Sequence, residues 1–343
     1  MANFNLKAGY DIPLAGAAEP TLVDRLDVAP VAVCPPDVRG IKPRPKVAEG
    51  DHVKLGQPVV YDKLCEDRTL PAPAAGTVKE IRRGDRRALE AVVIEPDGSD
   101  EAVEFAPRRA DELAGLARED VLDQLTAGGL LALFRQRPFD YLASPADTPR
   151  DIFVPAFDTA PLAPAPGMLL QDDADALQAG LDVCRALTPG DVHLCLPGAD
   201  TELPAALTAV DRVQTHRFAG RHPAGCVGVH IHHVKPIRNA RDVVWYINLQ
   251  GLLLLGRFFL QGRMDPRVIV AVTGPGARER RHIRTRLGAP MKALLQGGLA
   301  EGEQRVISGN ALTGRLAGED GFVGFYDHQV TVLPEAAEPE FCG

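Results

Sequence analysis

The stretch Gly220–Ile247 reads GRHPAGCVGVHIHHVKPIRNARDVVWYI and closes a run of alternating strand and helix patterns. Four of the nine histidines fall in it, His222, His230, His232 and His233, set among Gly220, Gly225, Gly228, Pro223 and Pro236. Glycine admits backbone angles that other residues avoid, and proline fixes one dihedral and removes a donor. A segment so constrained is expected to be a shaped loop rather than a linker. On a strand, His230 and His232 would share one face. Two readings stay open. A metal or catalytic site would need a third protein ligand and an open position, and neither His-Glu-x-x-His nor Cys-x-x-Cys lies nearby. A structural loop would instead use its imidazoles to satisfy its own backbone.

Upstream, Ile152–Val154 reads as a short buried strand. An amphipathic helix is expected to Leu187, with Asp172 or Asp173 as N-cap and Pro189-Gly190 as stop. Val192–Leu196 is a second strand, Thr201–Val210 a short helix and Val213–Phe218 a third strand. This alternation argues for a parallel α/β sheet, whose strand ends are the usual place for ligands. No Gly-x-Gly-x-x-Gly opens a helix after these strands. The nearest glycine turn, Thr273–Gly276, follows the strand Val268–Val272 and contains a proline; it reads as a tight turn or an anion nest. Downstream, the apolar run Val243–Leu260 is broken by polar residues and glycines, Leu252–Leu255 being one of its short uninterrupted pieces. That is too short to span a bilayer, so a buried helix is expected.

Residues 1–30 read as irregular. From Val31 the pattern is short strands and turns, with Val47, Val53, Val59 and Val60 as strand residues and Gly50-Asp51 and Leu55-Gly56 as turns. Gly50, Asp51, Val53, Gly56 and Gln57, then Ala72, Pro73, Gly76 and Val78, resemble the biotinyl/lipoyl hammerhead. A carrier lysine would stand at a hairpin tip. In DKLCEDRTL, Lys63 is off centre and Glu66-Asp67-Arg68 take the expected tip, so this region reads as a scaffold. Residues 100–150 read as helical, ending in a basic–aromatic cluster of Phe134, Arg135, Arg137, Pro138 and Phe139. Its open readings are stacking on a ring, binding an acidic partner, or simply a helix end. Beyond His282, Ile283–Leu287 is a strand, Ala289–Leu295 a short helix, Arg305–Ile307 a strand, and Gly321–Leu333 closes with strand signals.

The 343 residues are 45% hydrophobic and 24% charged, globular values for two or three domains. A net charge of -8 carries no electrostatic footprint for nucleic acid. Arginines cluster at Arg82, Arg83, Arg86 and Arg87 and again at Arg278, Arg280, Arg281, Arg284 and Arg286. Phosphate, an acidic partner or anionic lipid would suit either cluster; a solvated face is the commoner meaning. The N-terminus has no basic region followed by an apolar core, so no signal peptide is expected. Cys34, Cys65, Cys184, Cys195, Cys226 and Cys342 are not at metal-ligand spacing and read as small hydrophobes of a reducing compartment. They form no iron–sulfur run.

The motif order then becomes specific. A hammerhead and an α/β sheet are followed by HPAG-x-x-G-x-HIH (222–232), RTRLGA (284–289), RVISGNALTGR (305–315) and GFYDHQVTVLP (324–334). With GYDIPLAG (Gly9–Gly16), FDTAPLAP (Phe157–Pro164) and VWYIN (Val244–Asn248), this resembles the A-subunit family of the Na+-translocating NADH:quinone reductases over nearly the whole chain. The resemblance implies an α/β multidomain fold. Residues 1–105 would hold the biotinyl/lipoyl-like region, 106–275 a helical connection and a Rossmann-like parallel α/β domain, and 276–343 a soluble-ligand-binding β-grasp-like module and tail. It also implies a peripheral subunit on the cytoplasmic face of a bacterial inner membrane, within a complex that oxidises NADH, reduces ubiquinone and exports Na+. FMN, FAD, riboflavin and iron–sulfur would belong to partner subunits, membrane-embedded and cytoplasmic. This chain would bind no redox cofactor and no metal, and would have no catalytic residue. A related electron-transport family adds iron–sulfur cysteines and a glycine-rich nucleotide loop, both missing here. If ubiquinone enters, His222, His230 and His232 would bond its carbonyls, with Phe218, Trp245 and Tyr246 as an apolar wall. Family members usually run on past Glu340–Gly343. The alternatives are a stand-alone binding module for a nucleotide or quinone-like ligand, and a covalent carrier.

Overall fold

The computed structural model describes residues 2–171 and 173–335. Asp172, Cys342 and the Glu340–Gly343 tail, with the expectations attached to them, lie outside the described residues.

The start of the chain is not irregular. Ala2–Leu6 is a strand that pairs in parallel with Gln214–Gly220, and Glu19–Asp24 is a strand that pairs in parallel with Arg281–Arg286. Both partners lie far along the chain, so no local hairpin signal marks either strand. Only then does the chain build the hammerhead-like region. A four-stranded sheet (Val31–Val33, Leu89–Pro96, Gly76–Arg83, His52–Val53) faces a three-stranded one (Pro43–Pro45, Pro58–Asp62, Cys65–Pro71). Val31, Val53, Val59, Val60, Val92 and Ile94 are fully buried between them. Gly76, the glycine of the Ala-Pro-x-x-Gly signature, has φ of +152°, and a Cβ there would stand 2.1 Å from the Glu95 carbonyl oxygen. The hairpin tip differs from the expectation. Asp62 pairs with Cys65, so Lys63 and Leu64 form the turn and Glu66-Asp67-Arg68 lie within a strand. The burial of Val59, Val60 and Leu70 fixes this register over the tip that spacing suggested.

The middle region forms a seven-stranded sheet in the order 2–6, 214–220, 192–197, 151–155, 244–246, 135–137, 141–142. The first five strands are parallel and the last two antiparallel. Alternate residues feed two cores. Ile152, Val154, Leu194 and Trp245 pack with the helices Arg118–Ala127, Ala174–Leu187 and Leu249–Gln261. Phe153, Cys195, Phe218, Val244 and Tyr246 pack on the other face with Ile231. The apolar run 243–260 is therefore not one helix. Val244–Tyr246 is a strand, and the helix begins only at Leu249, where Asn248 Oδ1 accepts the Gly251 N–H at 2.8 Å. β-Branched and aromatic residues favour the strand, and the Asn cap restarts the chain as helix. At the other expected cap, Asp173 makes no side-chain capping bond and instead holds Arg257 at 2.7 Å. The region expected to be helical is α-helical over Ala110–Leu113 and Arg118–Ala127 and a 3-10 turn over Leu130–Leu133; Arg135–Arg137 and Tyr141–Leu142 are strands.

A second, six-stranded sheet has the order 315–316, 304–308, 329–334, 267–273, 281–286, 19–24. Arg267–Thr273 thus hydrogen-bonds with the C-terminal strands rather than with the middle sheet.

Candidate functional site

The parallel strands of the middle sheet end at Leu6, Gly220, Pro197 and Pro155 along one edge. Outside the carboxyl ends of such strands is where α/β sheets bind ligands. Three of the sequence motifs meet here. Tyr10 N–H donates to the His222 carbonyl at 2.9 Å, Arg221 stands 3.6 Å from Asp11, and His222 Nδ1 lies 3.2 Å from Thr159 Oγ1. The same hydroxyl accepts the Gly225 N–H at 2.9 Å. The glycines are required by this crossing. A Cβ on Gly225 would sit 2.6 Å from Thr159 N, and one on Gly9, at φ +139°, 2.6 Å from the His222 oxygen.

The histidine segment after this crossing is a helix, Val227–Val234, not a strand or loop. At about 100° per residue, His230 and His232 point apart: His230 is fully buried and His232 is exposed. The signal is present in the sequence, since Val227, Ile231 and Val234 follow helical spacing and all pack into the Phe218 cluster. The His230 ring lies 4.3 Å from the Phe218 ring and 5.6 Å from that of Phe157, and its Nε2–H donates to the Ala224 carbonyl at 2.8 Å. Burial pushes its pKa down to about 4, with the neighbouring His216 and His233 acting in the same direction.

Beneath the helix a polar row crosses three adjacent strands. His216 Nε2 lies 3.0 Å from His193 Nδ1, and His193 Nε2 lies 3.7 Å from Asp151 Oδ1. Asp151, fully buried, also accepts from Lys235 Nζ at 2.7 Å and Arg150 Nε at 2.6 Å. Burial alone would raise its pKa, but hydrogen bonds from His193, Lys235 and Arg150 hold it well below the usual carboxylate range. Asp151, Asp191 and His193 lie close enough to surround a cation. The Asp151 oxygens, however, already face two cationic side chains, and a third positive charge there would be repelled.

The remaining sequence candidates separate. Trp245 points into the opposite core, 5.7 Å from Phe134, with its Nε1–H donating to Gln136 Oε1 at 3.1 Å. Tyr246 donates its hydroxyl to Asp140. The basic–aromatic cluster does stack on rings, but on rings of its own chain: the Arg135 guanidinium lies 4.5 Å from the Tyr246 ring centre and 4.3 Å from that of Tyr326. Of the six candidates, Phe218, His230, Trp245 and Tyr246 are buried, His222 is half-buried and His232 is exposed.

A segment that reads in the sequence only as a strand signal bonds to both sides of the point where the strand order reverses, between 151–155 and 244–246. Phe325–Gln329 reaches across from the C-terminal sheet. The Tyr326 carbonyl accepts from Asn248 Nδ2 at 3.4 Å, Tyr326 donates its hydroxyl to the Ala132 carbonyl at 2.7 Å, and Gln329 Nε2 donates to the Pro161 carbonyl at 3.1 Å. The loop after one strand and the helix cap after the other are thus both bonded to the chain's own polypeptide.

Comparison with known proteins follows the same division. Residues 4–97 match the model of the NqrA N-terminal barrel-sandwich hybrid domain, 116–264 that of the NqrA second alpha/beta domain, and 269–319 that of the NQRA C-terminal domain. The A subunit of the Na(+)-translocating NADH-quinone reductase of Marinomonas sp. (strain MWYL1) is 40% identical over 98% of this chain and 74% of its own length. This chain belongs to the NqrA family. The corresponding A subunits of Alcanivorax borkumensis and Serratia proteamaculans are 39% and 40% identical, each over 98% of this chain and 75% of their own length. This NqrA-family chain spans about three quarters of those relatives. No helix among its described residues is long and apolar enough to cross a membrane.

The buried imidazoles of this NqrA-family chain predict acid sensitivity. His216, His230 and His328 are all held down to about 4, in each case chiefly by burial. Between that value and the ordinary value near 6.5 the unfolded chain binds protons that the folded chain does not, so stability falls as pH falls. Each group contributes about 1.4 kcal/mol per pH unit in that window. Asp37, pushed up to about 6 by burial, works the other way: it is stabilising below about 6, and that contribution fades as pH rises from 4. His282 is lowered by burial in the same way, and Asp182 and Asp327 are raised by burial as Asp37 is; the larger shifts on the three imidazoles held near 4 leave net destabilisation by acid. Thermal unfolding followed by circular dichroism should show a clearly lower Tm at pH 5 than at pH 7.5; an equal or higher Tm at pH 5 would overturn this.

Proposed function

We propose that this chain serves as the peripheral, structural A subunit of a Na+-translocating NADH:quinone reductase at the cytoplasmic face of a bacterial inner membrane. The observation that carries the reading is 40% identity to an A subunit of such a reductase over 98% of the chain, with the three family domains in order. The FMN, FAD, riboflavin and iron–sulfur centres of such a complex are assigned to partner subunits. Supporting this, the switch-point crevice, where a parallel sheet would place a nucleotide, is bonded to Phe325–Gln329. A stand-alone nucleotide-binding module would need that crevice open. We read the middle domain as Rossmann-like, a label supported by its five parallel strands and flanking helices, and the C-terminal sheet as a soluble-ligand-binding β-grasp-like module.

Two measurements test the reading. The isolated chain should be colourless and leave NADH unoxidised. Added to the partner subunits, it should restore NADH-driven ubiquinone reduction and Na+ uptake; equal rates without it would reject the assignment.

Direct quinone contact at this edge falls to His222 and His232, with the buried Phe218, His230 and Tyr246 on the same face of the sheet and Trp245 turned to the opposite core. His222→Ala in the assembled complex should raise the KM for ubiquinone about fivefold, the loss of one hydrogen bond worth about 1 kcal/mol, with kcat little changed. An unaltered KM in a folded, assembled variant would remove His222 from the quinone path.

A further inference from the structure

The hammerhead-like region carries a groove that no part of the proposed function uses. It is about 430 Å³ and lies between the turn Gly84–Ala88, the short helical turn Pro35–Asp37 and the strand Pro43–Pro45. Five cations line it: Lys42, Arg44, Arg83, Arg86 and Arg87. All five are exposed, and no carboxylate lines the groove. Among the described residues none of the five makes an ion pair, whereas the adjacent Arg82 is held by Glu80 at 3.2 Å. The nearby acids, Asp85 in the turn, Glu90 in the strand after it and Asp37 in the short helical turn, stand outside the lining. Arg86 and Arg87 both adopt positive φ, +52° and +61°, an uncommon conformation for residues with a side chain. The floor is aliphatic, with Val38 and Leu89 each 5% exposed and Ile41 beside them. No aromatic ring lines the groove, so nothing is offered for a base or a planar ring to stack on.

We propose that this groove binds the headgroup of an anionic phospholipid, with the guanidinium groups on the phosphate and the aliphatic floor against the first carbons of the lipid. Unpaired arginines in a fork geometry suit phosphate oxygens. The aliphatic floor favours a lipid over a nucleotide. The charge balance makes the site testable. The chain as a whole carries -8 and is repelled by an anionic surface, so attraction to one has to come from a local cluster.

The test is co-sedimentation of the full chain with phosphatidylcholine vesicles, with and without phosphatidylglycerol. Binding is expected only when phosphatidylglycerol is present, and it should weaken as salt is raised. The triple variant Arg44→Gln/Arg86→Gln/Arg87→Gln should bind about a hundredfold more weakly, at about fivefold per cation removed. Arg278→Gln/Arg280→Gln, in the other arginine cluster, should bind as the parent does. Tm values of both variants establish that they are folded, and the single variant Arg87→Glu serves if the triple is not. The proposal is overturned if phosphatidylglycerol vesicles do not bind, or if the triple variant binds as the parent does. It is likewise overturned if glycerol 3-phosphate alone raises the Tm as much as the lipid, which would mark a soluble phosphate ester, or if only polyglutamate binds, which would mark an acidic protein partner.

Discussion

Asp151→Ala is expected to destabilise the protein by about 3 kcal/mol, at the low end of the range for breaking a buried ion pair. The carboxylate opens a central strand at 0% exposure and accepts from Lys235, Arg150 and, more distantly, His193. Its removal takes this acceptor from Lys235 and the imidazole, and leaves Arg150 with Asp242 at 3.5 Å and the carbonyls of Lys235 and Pro236. The low end applies because the Lys235 and Arg150 side chains are 43% and 23% exposed and can turn to water. Asp151→Asn should cost less, since an amide still accepts hydrogen bonds. Chemical denaturation of both variants checks this. A loss within experimental error for Asp151→Ala would show that the buried row beneath the histidine helix contributes nothing to stability.

Gly256→Ala is expected to cost about 2 kcal/mol net. The helices Ala174–Leu187 and Leu249–Gln261 approach at glycines: a Cβ on Gly256 would sit 1.9 Å from the Ala176 carbonyl oxygen, and one on Gly180 2.4 Å from that of Leu252. These obstacles are backbone atoms, so relief requires the helices to part. Overpacking of this kind costs about 3 kcal/mol, offset by about 1 kcal/mol of better helix propensity. Gly256→Val should cost more than the alanine change, and Gly180→Ala should not add independently, because both substitutions push on one interface. A denaturation midpoint for Gly256→Ala at or above the parent's would contradict the close approach.

The hammerhead-like region and the α/β alternation are legible because their signals are local. A glycine at positive φ, an Ala-Pro-x-x-Gly turn and a strand followed by a capped helix each lie within one short window. The amphipathic helix ending at Leu187 and the strand Val192–Pro197 stand where the pattern places them, within a residue or two. The histidine helix is hidden because the alternation of His230 and His232 stands out, while the helical stripe of Val227, Ile231 and Val234 is the feature buried on folding.

Each unit whose stabilising contacts are close in the chain was therefore legible in the residues, together with the family, whose motifs are strings. The remaining features depend on contacts made only when the chain closes. Ala2–Leu6 finds its partner at His216–Gly220, and Glu19–Asp24 finds its partner at Arg281–Arg284. An edge strand of that kind has no partner within reach of a local pattern. The same holds for Phe325–Gln329 across the switch point, for the acceptor that Asp151 offers to Lys235, and for the five cations that converge on one groove from two separate segments. Each is a contact between groups distant in sequence, and the closing of the chain, not the composition of any window, determines whether they meet.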